Sequence, residues 1–509
     1  MPDRLRLILG VKLRTLRQER GLGLKDVAKK AGLSVSYLSE IEQGKKYPKP
    51  DKLVDLSLAL GVPYDDLVSL RMDKGLGAVK DVIDSPLLRS FPFQLFGVDP
   101  EDIVRLLATV PDKTGALVQA VGDVTRSYDA QVEDFLLAAL RAYQQIHANR
   151  FPDLEAAADA LRATLGLNAD AIPTAARLRA ALEDDHGYRI DTSTLDADPE
   201  LRGFRSVLAG PSDAPLLYVN GALHEEQLAF LYARELGFLV LDAVHRPTTS
   251  SWIQVDRFEQ VLDNFRGSYV AGALLLPASL IDAELQALAD ASTWEPERVL
   301  GWLDRFQSTP EMLFHRLTQR IPDALGLGEL YFLRFHHAAG SDHFDLTKTF
   351  NLSEVPVPHG IAADEHYCRR WPSMQALIEL DRRQAHAAGR GDTDDGPVIV
   401  AQRQHFVGGM DRTGADFFVF AVARPLALRS GFNSSVALGL RRTRAAARRV
   451  AVWDDPSLPE VDVGLTCERC PIADCRVRAA PPTVLRDDEA LARRAAALEA
   501  LEAKPPPGP

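Results

Sequence analysis

Three cysteines near the C-terminus, Cys467, Cys470 and Cys475, form C-x2-C-x4-C within GLTCERCPIADCRVRAAP. Three thiolates on one short loop can be three corners of a tetrahedral sulfur site, and Cys368 is the only other cysteine that can supply the fourth. Four thiolates suit either a [4Fe–4S] cluster or structural zinc, because the C-x2-C spacing serves both. Arg469, Arg476 and Arg478 flank the run, where cations offset a negative cluster and lower thiol pKa values. Four cysteines in 509 residues do not make a disulfide scaffold. The expectation is a metal centre on Cys368, Cys467, Cys470 and Cys475.

A second chemistry lies at the N-terminus. Residues 1–50 carry 12 Lys+Arg against 5 Asp+Glu, a net of +7 in a chain whose total is −12. A basic head on an acidic body suits a polyanion partner for the head alone. Within LKDVAKKAGLSVSYLSEIEQG (24–44), Val27, Ala28 and Ala31 make one apolar face, and Gly32 can take the positive φ of a tight helix-to-helix turn. Ser34 is placed to cap the next helix. Val35, Leu38, Ile41 and Glu42 mark that helix's inward edge, which leaves Ser36, Tyr37, Ser39, Glu40 and Gln43 facing out. This is the arrangement of a DNA-reading helix pair, with Lys25, Lys45 and Lys46 where phosphates would run.

These residues need elements to hold them. Helical periodicity fills 3–72; Lys74–Gly77 reads as a hinge, and 80–165 reads helical again, notably at 131–149 and 154–165, with a Phe91-Pro92-Phe93 interruption. From 174 to 290 a helix (174–185), strand-like pieces (188–191, 216–219) and a long apolar helix from Glu225 alternate. Residues 291–322 read as two helices, and strands follow at 329–335, 344–349, 397–403 and 417–423. Residues 479–509 read as one Ala/Leu/Arg helix between proline clusters. Apolar residues make up 46% and charged residues 26%, as in a globular chain. The most apolar run, 270–280, is too short to span a bilayer, and the N-terminus does not read as a signal peptide, so a cytoplasmic location is expected.

Residues 8–67 closely resemble the Xre/Cro-type helix-turn-helix domain, which implies a five-helix module that binds a double-stranded operator as a homodimer. Residues 225–241 (EEQLAFLYARELGFLVL) and 264–277 (NFRGSYVAGALLLP) resemble the zinc-peptidase-like domain of the ImmA/IrrE family. That family's H-E-x-x-H motif falls here on Arg234, Glu235, Leu236, Gly237 and Phe238, with Asn264 aligned to its third ligand. Both zinc histidines are absent, so Glu235 has no metal-bound water to activate. His224 and His245 do not rebuild the motif and are expected at the surface or at helix ends. The apolar side chains Leu228, Phe230, Leu231, Leu236, Leu239 and Val240 are expected in the core.

Cys368-Arg-Arg-Trp371 and the cysteine triad, preceded by such a domain, resemble the short-chain fatty-acyl transcriptional regulators. That resemblance implies a [4Fe–4S] cluster in preference to zinc, and a response to an acyl-CoA-type small molecule. Arg369, Arg370, Arg441, Arg442, Arg444, Arg448 and Arg449 are the richest basic supply for its phosphates outside the head, although 441–449 on an Ala-rich helix also reads as a solvated face. Trp371 is expected in the core.

The fold class expected is multidomain: an all-α helix-turn-helix domain (1–72), a helical linker or dimerisation region (73–165), an α+β degenerate peptidase-like domain (166–290), an α+β sensor domain with the cysteines (291–485), and a tail (486–509). The function expected is sequence-specific transcriptional regulation that senses a short-chain acyl-CoA-type metabolite, the redox or iron state through the four-cysteine site, or both, with no catalytic residue and no membrane partner. Two alternatives stand beside it: a stress- or phage-type regulator with structural zinc, and a metallopeptidase acting on a partner repressor.

Overall fold

The computed structural model describes residues 4–68, 132–211, 213–249, 257–353, 365–407 and 414–502. The hinge at 74–77, the Phe91-Pro92-Phe93 interruption and most of the expected linker lie outside them. The chain divides into two compact units, Met1–Tyr143 with Gln254–Leu262, and Gln144–Ile253 with Asp263–Pro509.

In the first unit, five helices form the head: α1 (Arg4–Glu19), α2 (Leu24–Lys30), α3 (Val35–Glu42), α4 (Pro50–Leu60) and α5 (Tyr64–Val68). The backbone N–H of Gly23 donates to Asp26 Oδ2 at 2.9 Å, which starts α2. Leu9, Leu13, Val27, Ala28, Ala31, Leu38, Ile41, Leu53, Leu56 and Leu60 close a single core. Gly10 lets α1 cross the end of α3 at contact distance, since a Cβ there would sit 2.6 Å from the Ile41 carbonyl oxygen.

In the second unit, which begins within the helix Val132–Ile146, the helix Pro152–Thr164 is followed by Ala175–His186 and a small sheet of β1 (Arg189–Asp191), β2 (Ser206–Ala209) and β3 (Leu216–Val219), ordered β1-β3-β2. β1 runs parallel to β3, and β2 antiparallel. The helix Glu225–Val240 follows, then residues 263–275 of the helix Phe258–Leu275, and the helices Ala278–Asp290, Pro296–Arg305 and Pro310–Leu325.

Next comes a six-stranded sheet ordered β5-β4-β8-β7-β6-β9, built of β4 (Leu330–Ala338), β5 (Phe344–Asn351), β6 (Val398–Phe406), β7 (Ala415–Pro425), β8 (Phe432–Arg441) and β9 (Glu460–Val463). Alternation along β7 sends Phe417, Val419 and Ala421 to the face covered by Trp371, Met374, Leu377 and Leu380 of the Trp371–Ala388 segment. Phe418 and Phe420 go to the other face, against Trp294, Phe314 and Trp453. Both faces are covered, which explains the near-continuous apolar run of β7.

A buried ion pair ties the helices beneath the sheet. Arg316, with its side chain fully buried, donates from Nη1 and Nη2 to Glu155 at 2.6 and 2.8 Å and from Nε to the Leu276 carbonyl at 2.8 Å. Tyr269 donates its hydroxyl to the same carboxylate at 2.8 Å. Burial pushes the Glu155 carboxyl up, but Arg316 and Tyr269 more than offset this and hold it below its ordinary value. Among the described residues no single helix is long and apolar enough to cross a membrane.

Three strands escape the sequence pattern: β2, β8 and β9. Arg441 closes β8 instead of opening an Ala-rich helix, because the chain between 432 and 441 pairs with both β4 and β7. The helix in that region spans only Arg444–Arg449.

Candidate nucleic-acid interface and sites in the body

The head matches its sequence reading closely. Gly32 has φ +60° in the turn between α2 and α3. Ser34 Oγ accepts from the Tyr37 backbone N–H at 3.1 Å and so caps α3. Arg17 makes a two-pronged pair with Glu42 (2.7 and 2.9 Å), which locks α3 against α1. Leu38 and Ile41 are buried as expected, whereas Val35 is 39% exposed and belongs to the outer surface. It lies in the first turn, before α3 dips into the core.

On the outer face Ser36 is exposed, and Ser39 Oγ accepts from Gln43 Nε2 at 2.9 Å, which fixes that amide. Lys46 Nζ pairs with Glu40 at 2.7 Å and lies 5.7 Å from the centre of the Tyr37 ring. Lys25 and Lys45 are exposed at the two ends of the helix pair. A rigid capped helix with short polar side chains outward and lysines at its margins can enter a major groove and hold phosphates.

The cysteine segments, distant in sequence, come together within the second unit. Tyr367 and Thr466 form an antiparallel bridge, the Cys368 N–H donates to the Leu465 carbonyl at 3.0 Å, and the Cys467 N–H donates to the His366 carbonyl at 2.8 Å. Two carboxylates brace this junction. Glu468 accepts from the His366 N–H at 2.9 Å and lies 2.8 Å from its Nδ1, and Arg469 holds Glu365 in a two-pronged pair. Cys368, Cys467 and Cys470 are buried and Cys475 is partly exposed. Among the described residues, no group of three or more His, Cys, Asp or Glu side chains stands in an arrangement that could hold a metal ion.

The expectation of lowered thiol pKa values is corrected. Burial pushes the Cys368 thiol up to about 11 and raises Cys470 as well. The flanking arginines do not offset this. Arg469 is taken by Glu365, and Arg478 donates to the carbonyls of Cys467 (2.7 Å), Cys470 (3.3 Å) and Ile472. Trp371 is in the core, its Nε1 donating to the Gly464 carbonyl at 2.8 Å.

On the Glu225–Val240 helix, Glu235 is buried, its Oε2 unpaired by any hydrogen bond and 3.8 Å from Arg246; burial raises its pKa. Phe238 is buried and Asn264 half-buried. Leu231 and Leu236 are core, Leu228, Phe230 and Leu239 are half-buried, and Val240 is 40% exposed, which corrects its expected burial. His224 is exposed at the helix start; His245 lies beyond its end, its backbone N–H on Asp263 at 2.9 Å.

The arginines expected to serve phosphates are dispersed. Arg369 lies over the Phe344 ring at 4.2 Å, Arg441 pairs with Glu329 at 2.5 Å and Arg449 with Asp290 at 2.9 Å. Arg444 and Arg448 are exposed on their short helix. Arg370 and Arg442 line an open groove of about 680 Å³, but with Arg403 they face Asp416, Glu460 and Asp462, so charges balance there.

A cationic cluster that the sequence does not announce lies elsewhere. Glu311 accepts from Arg334 Nη1 on both oxygens at 2.7 Å and from Lys348 Nζ at 2.6 Å. His315 stacks on Phe332 with centroids 4.3 Å apart. Burial, with Lys348 and Arg334, pulls its pKa down to about 3; burial and Arg334 pull His336 to about 4. Both imidazoles are therefore neutral at pH 7. Arg205 adds to the same field, lowering Glu311, His336 and Lys348 alike. The Lys348 side chain is 47% exposed, so the cluster reaches solvent at that end.

A helix-turn-helix domain family matches residues 8–70. The chain is 42% identical over 84 residues to the HTH-type transcriptional regulator DdrOP3 of Deinococcus deserti, covering 15% of this chain and 65% of that one. It is 37% identical over 65 residues to the uncharacterized HTH-type transcriptional regulator y4dJ of Sinorhizobium fredii, covering 13% of this chain and 84% of that one. It is 42% identical over 60 residues to the HTH-type transcriptional repressor RghR of Bacillus subtilis, covering 12% and 44%. A solved Mycobacterium tuberculosis transcriptional regulator aligns at 21% identity and a TM-score of 0.46, over 67% of this chain and 92% of that one.

Proposed function

The chain belongs to the helix-turn-helix transcriptional regulators, and we propose that its head binds operator DNA while its acidic body senses a metabolite. One observation carries the DNA reading: α3 is capped by Ser34, fixed by Arg17–Glu42, and presents Ser36, Tyr37, Ser39 and Gln43 between exposed lysines. Lys25, Lys45 and Lys46 take phosphates and the α3 residues take base edges. The active form is a homodimer on a two-fold operator. The test is fluorescence anisotropy with operator DNA selected from a random pool. Tight, salt-dependent binding that Lys45→Ala weakens for every duplex and Ser36→Ala redirects among duplexes supports the reading; equal binding to all duplexes overturns sequence specificity.

The body senses an acyl-CoA-type anion at the cluster around Glu311. Arg334 and Lys348 outnumber the single carboxylate they share, and the neutral His315 and His336 offer donors without added repulsion. Phosphate groups match such donors. Ligand then shifts the population of DNA-competent dimers.

A [4Fe–4S] cluster, with zinc as the alternative, is proposed on Cys368, Cys467, Cys470 and Cys475. The donor set fits in kind, and hydrogen bonds join the segments that bear Cys368 and Cys467, but the side chains are not in ligating arrangement, so no step is routed through the group. When bound, it would supply redox responsiveness if iron–sulfur, or a cross-link if zinc. Metal analysis of anaerobically purified protein decides between them.

The body acts without catalysis, because Arg234 and Phe238 occupy the zinc-histidine positions and Glu235 is buried. Cleavage of a partner by the purified chain would overturn this.

A further inference from the structure

Arg234 stands where H-E-x-x-H places its first histidine. Its guanidinium lies 5.7 Å from the centre of the Phe238 ring, the residue at the second histidine position. The side chain is half-buried and its Nε is fully buried with no hydrogen-bond partner among the described residues. Burying a polar donor without an acceptor is costly, and burying part of a cation without one more so. The adjacent Glu235 carboxylate offsets part of that charge through space but leaves Nε without a hydrogen bond, and it also faces Arg246 at 3.8 Å, itself hydrogen-bonded to Tyr188 at 2.8 Å.

The helix bearing Arg234 is pinned to the large sheet by Glu226, which accepts from Arg424 at 3.1 Å. It therefore lies beside the sheet that carries Arg334 and Lys348. Arg205 acts on Arg234 and on the Glu311 cluster alike, lowering the Arg234 pKa together with burial.

We propose that Arg234 is an anion-binding residue: the position that holds zinc in a peptidase here holds a guanidinium that contacts a phosphate or carboxylate of the ligand. The idea rests on the sensing role given to the Glu311 cluster. Positive charge is kept at the old metal position while the hydrolytic chemistry is lost. Arg suits this better than Lys, because its planar fork can grip an oxyanion with two parallel hydrogen bonds.

The full-length protein is titrated with pyrophosphate and with coenzyme A by calorimetry, alongside thermal melts with and without each. Wild type is expected to bind at least one probe. Arg234→Gln should bind it at least tenfold more weakly, while its ligand-free melting temperature stays equal or rises, because an unpaired buried donor has been removed. A purely structural arginine would lower the ligand-free melting temperature. Arg234→Lys, which keeps the charge without the fork, should bind at least threefold more weakly and covers the case in which the glutamine variant does not fold. If Arg334→Gln weakens binding but Arg234→Gln and Arg234→Lys bind like wild type, the role of Arg234 is overturned and the cluster stands. If wild type binds neither probe, the sensing role itself falls, and this proposal with it.

Discussion

Arg334 and Lys348 are direct cross-strand partners on β4 and β5, two cations facing each other with Glu311 donating nothing and accepting from both. Like charges in that position destabilise a sheet unless a counter-charge bridges them. Removing the carboxylate with Glu311→Gln should cost about 1–3 kcal/mol in urea unfolding, and the loss should shrink as added salt screens the two cations.

The same carboxylate sets a pH dependence. Burial pushes Glu311 up, but Arg334, Lys348, His315 and Arg205 outweigh it and hold its pKa well below the ordinary value. A depressed folded-state pKa stabilises the protein above the unfolded value of about 4.3, and that contribution is lost as pH falls below it. Wild-type stability should drop between about pH 5 and pH 3 more steeply than that of Glu311→Gln. Parallel curves would refute this.

Arg316→Met leaves Glu155 buried beside Tyr269 without its cation. The expected loss is about 3–5 kcal/mol in equilibrium unfolding. The double variant Arg316→Met with Glu155→Leu should recover much of it, since the cost lies in the uncompensated charge.

Ser34→Ala removes the α3 cap and should cost about 1 kcal/mol of stability. Lys45→Ala should weaken every duplex alike and reduce the slope of log affinity against log salt by about 1. Ser36→Ala should instead change which duplexes are preferred. Anisotropy over a salt series separates the two behaviours.

Cys470→Ser should lower the metal recovered per chain from anaerobic preparations. Unchanged metal content would remove that residue from the proposed centre.

Much of the head was legible because its determinants are local. Gly32, Ser34 and the 3.6-residue spacing of Leu38 and Ile41 act within one turn, and the structure keeps all of them. Strands β4 to β7 were legible from alternating or continuous apolar runs. β8 escaped because FNSSVALGLR mixes polar residues with small ones, and it becomes a strand through pairing with β4 and β7. The Glu311 cluster was invisible for a related reason: its members come from one helix and two strands, and no spacing along the chain links them. The thiol pKa values were misjudged because nearby arginines in sequence need not be free in space; Glu365, 104 residues from Arg469, takes its charge.

β9 sits at the rim of the large sheet, is the last strand in chain order among the described residues, and leads straight into the loop with Cys467 and Cys470. During synthesis on the ribosome, β6 emerges long before its parallel neighbour and must wait with bare backbone groups along one side. Premature stop codons before residue 460 would thus yield a nascent chain open to strand-to-strand aggregation, and quality-control proteolysis would meet it before any regulator could mature.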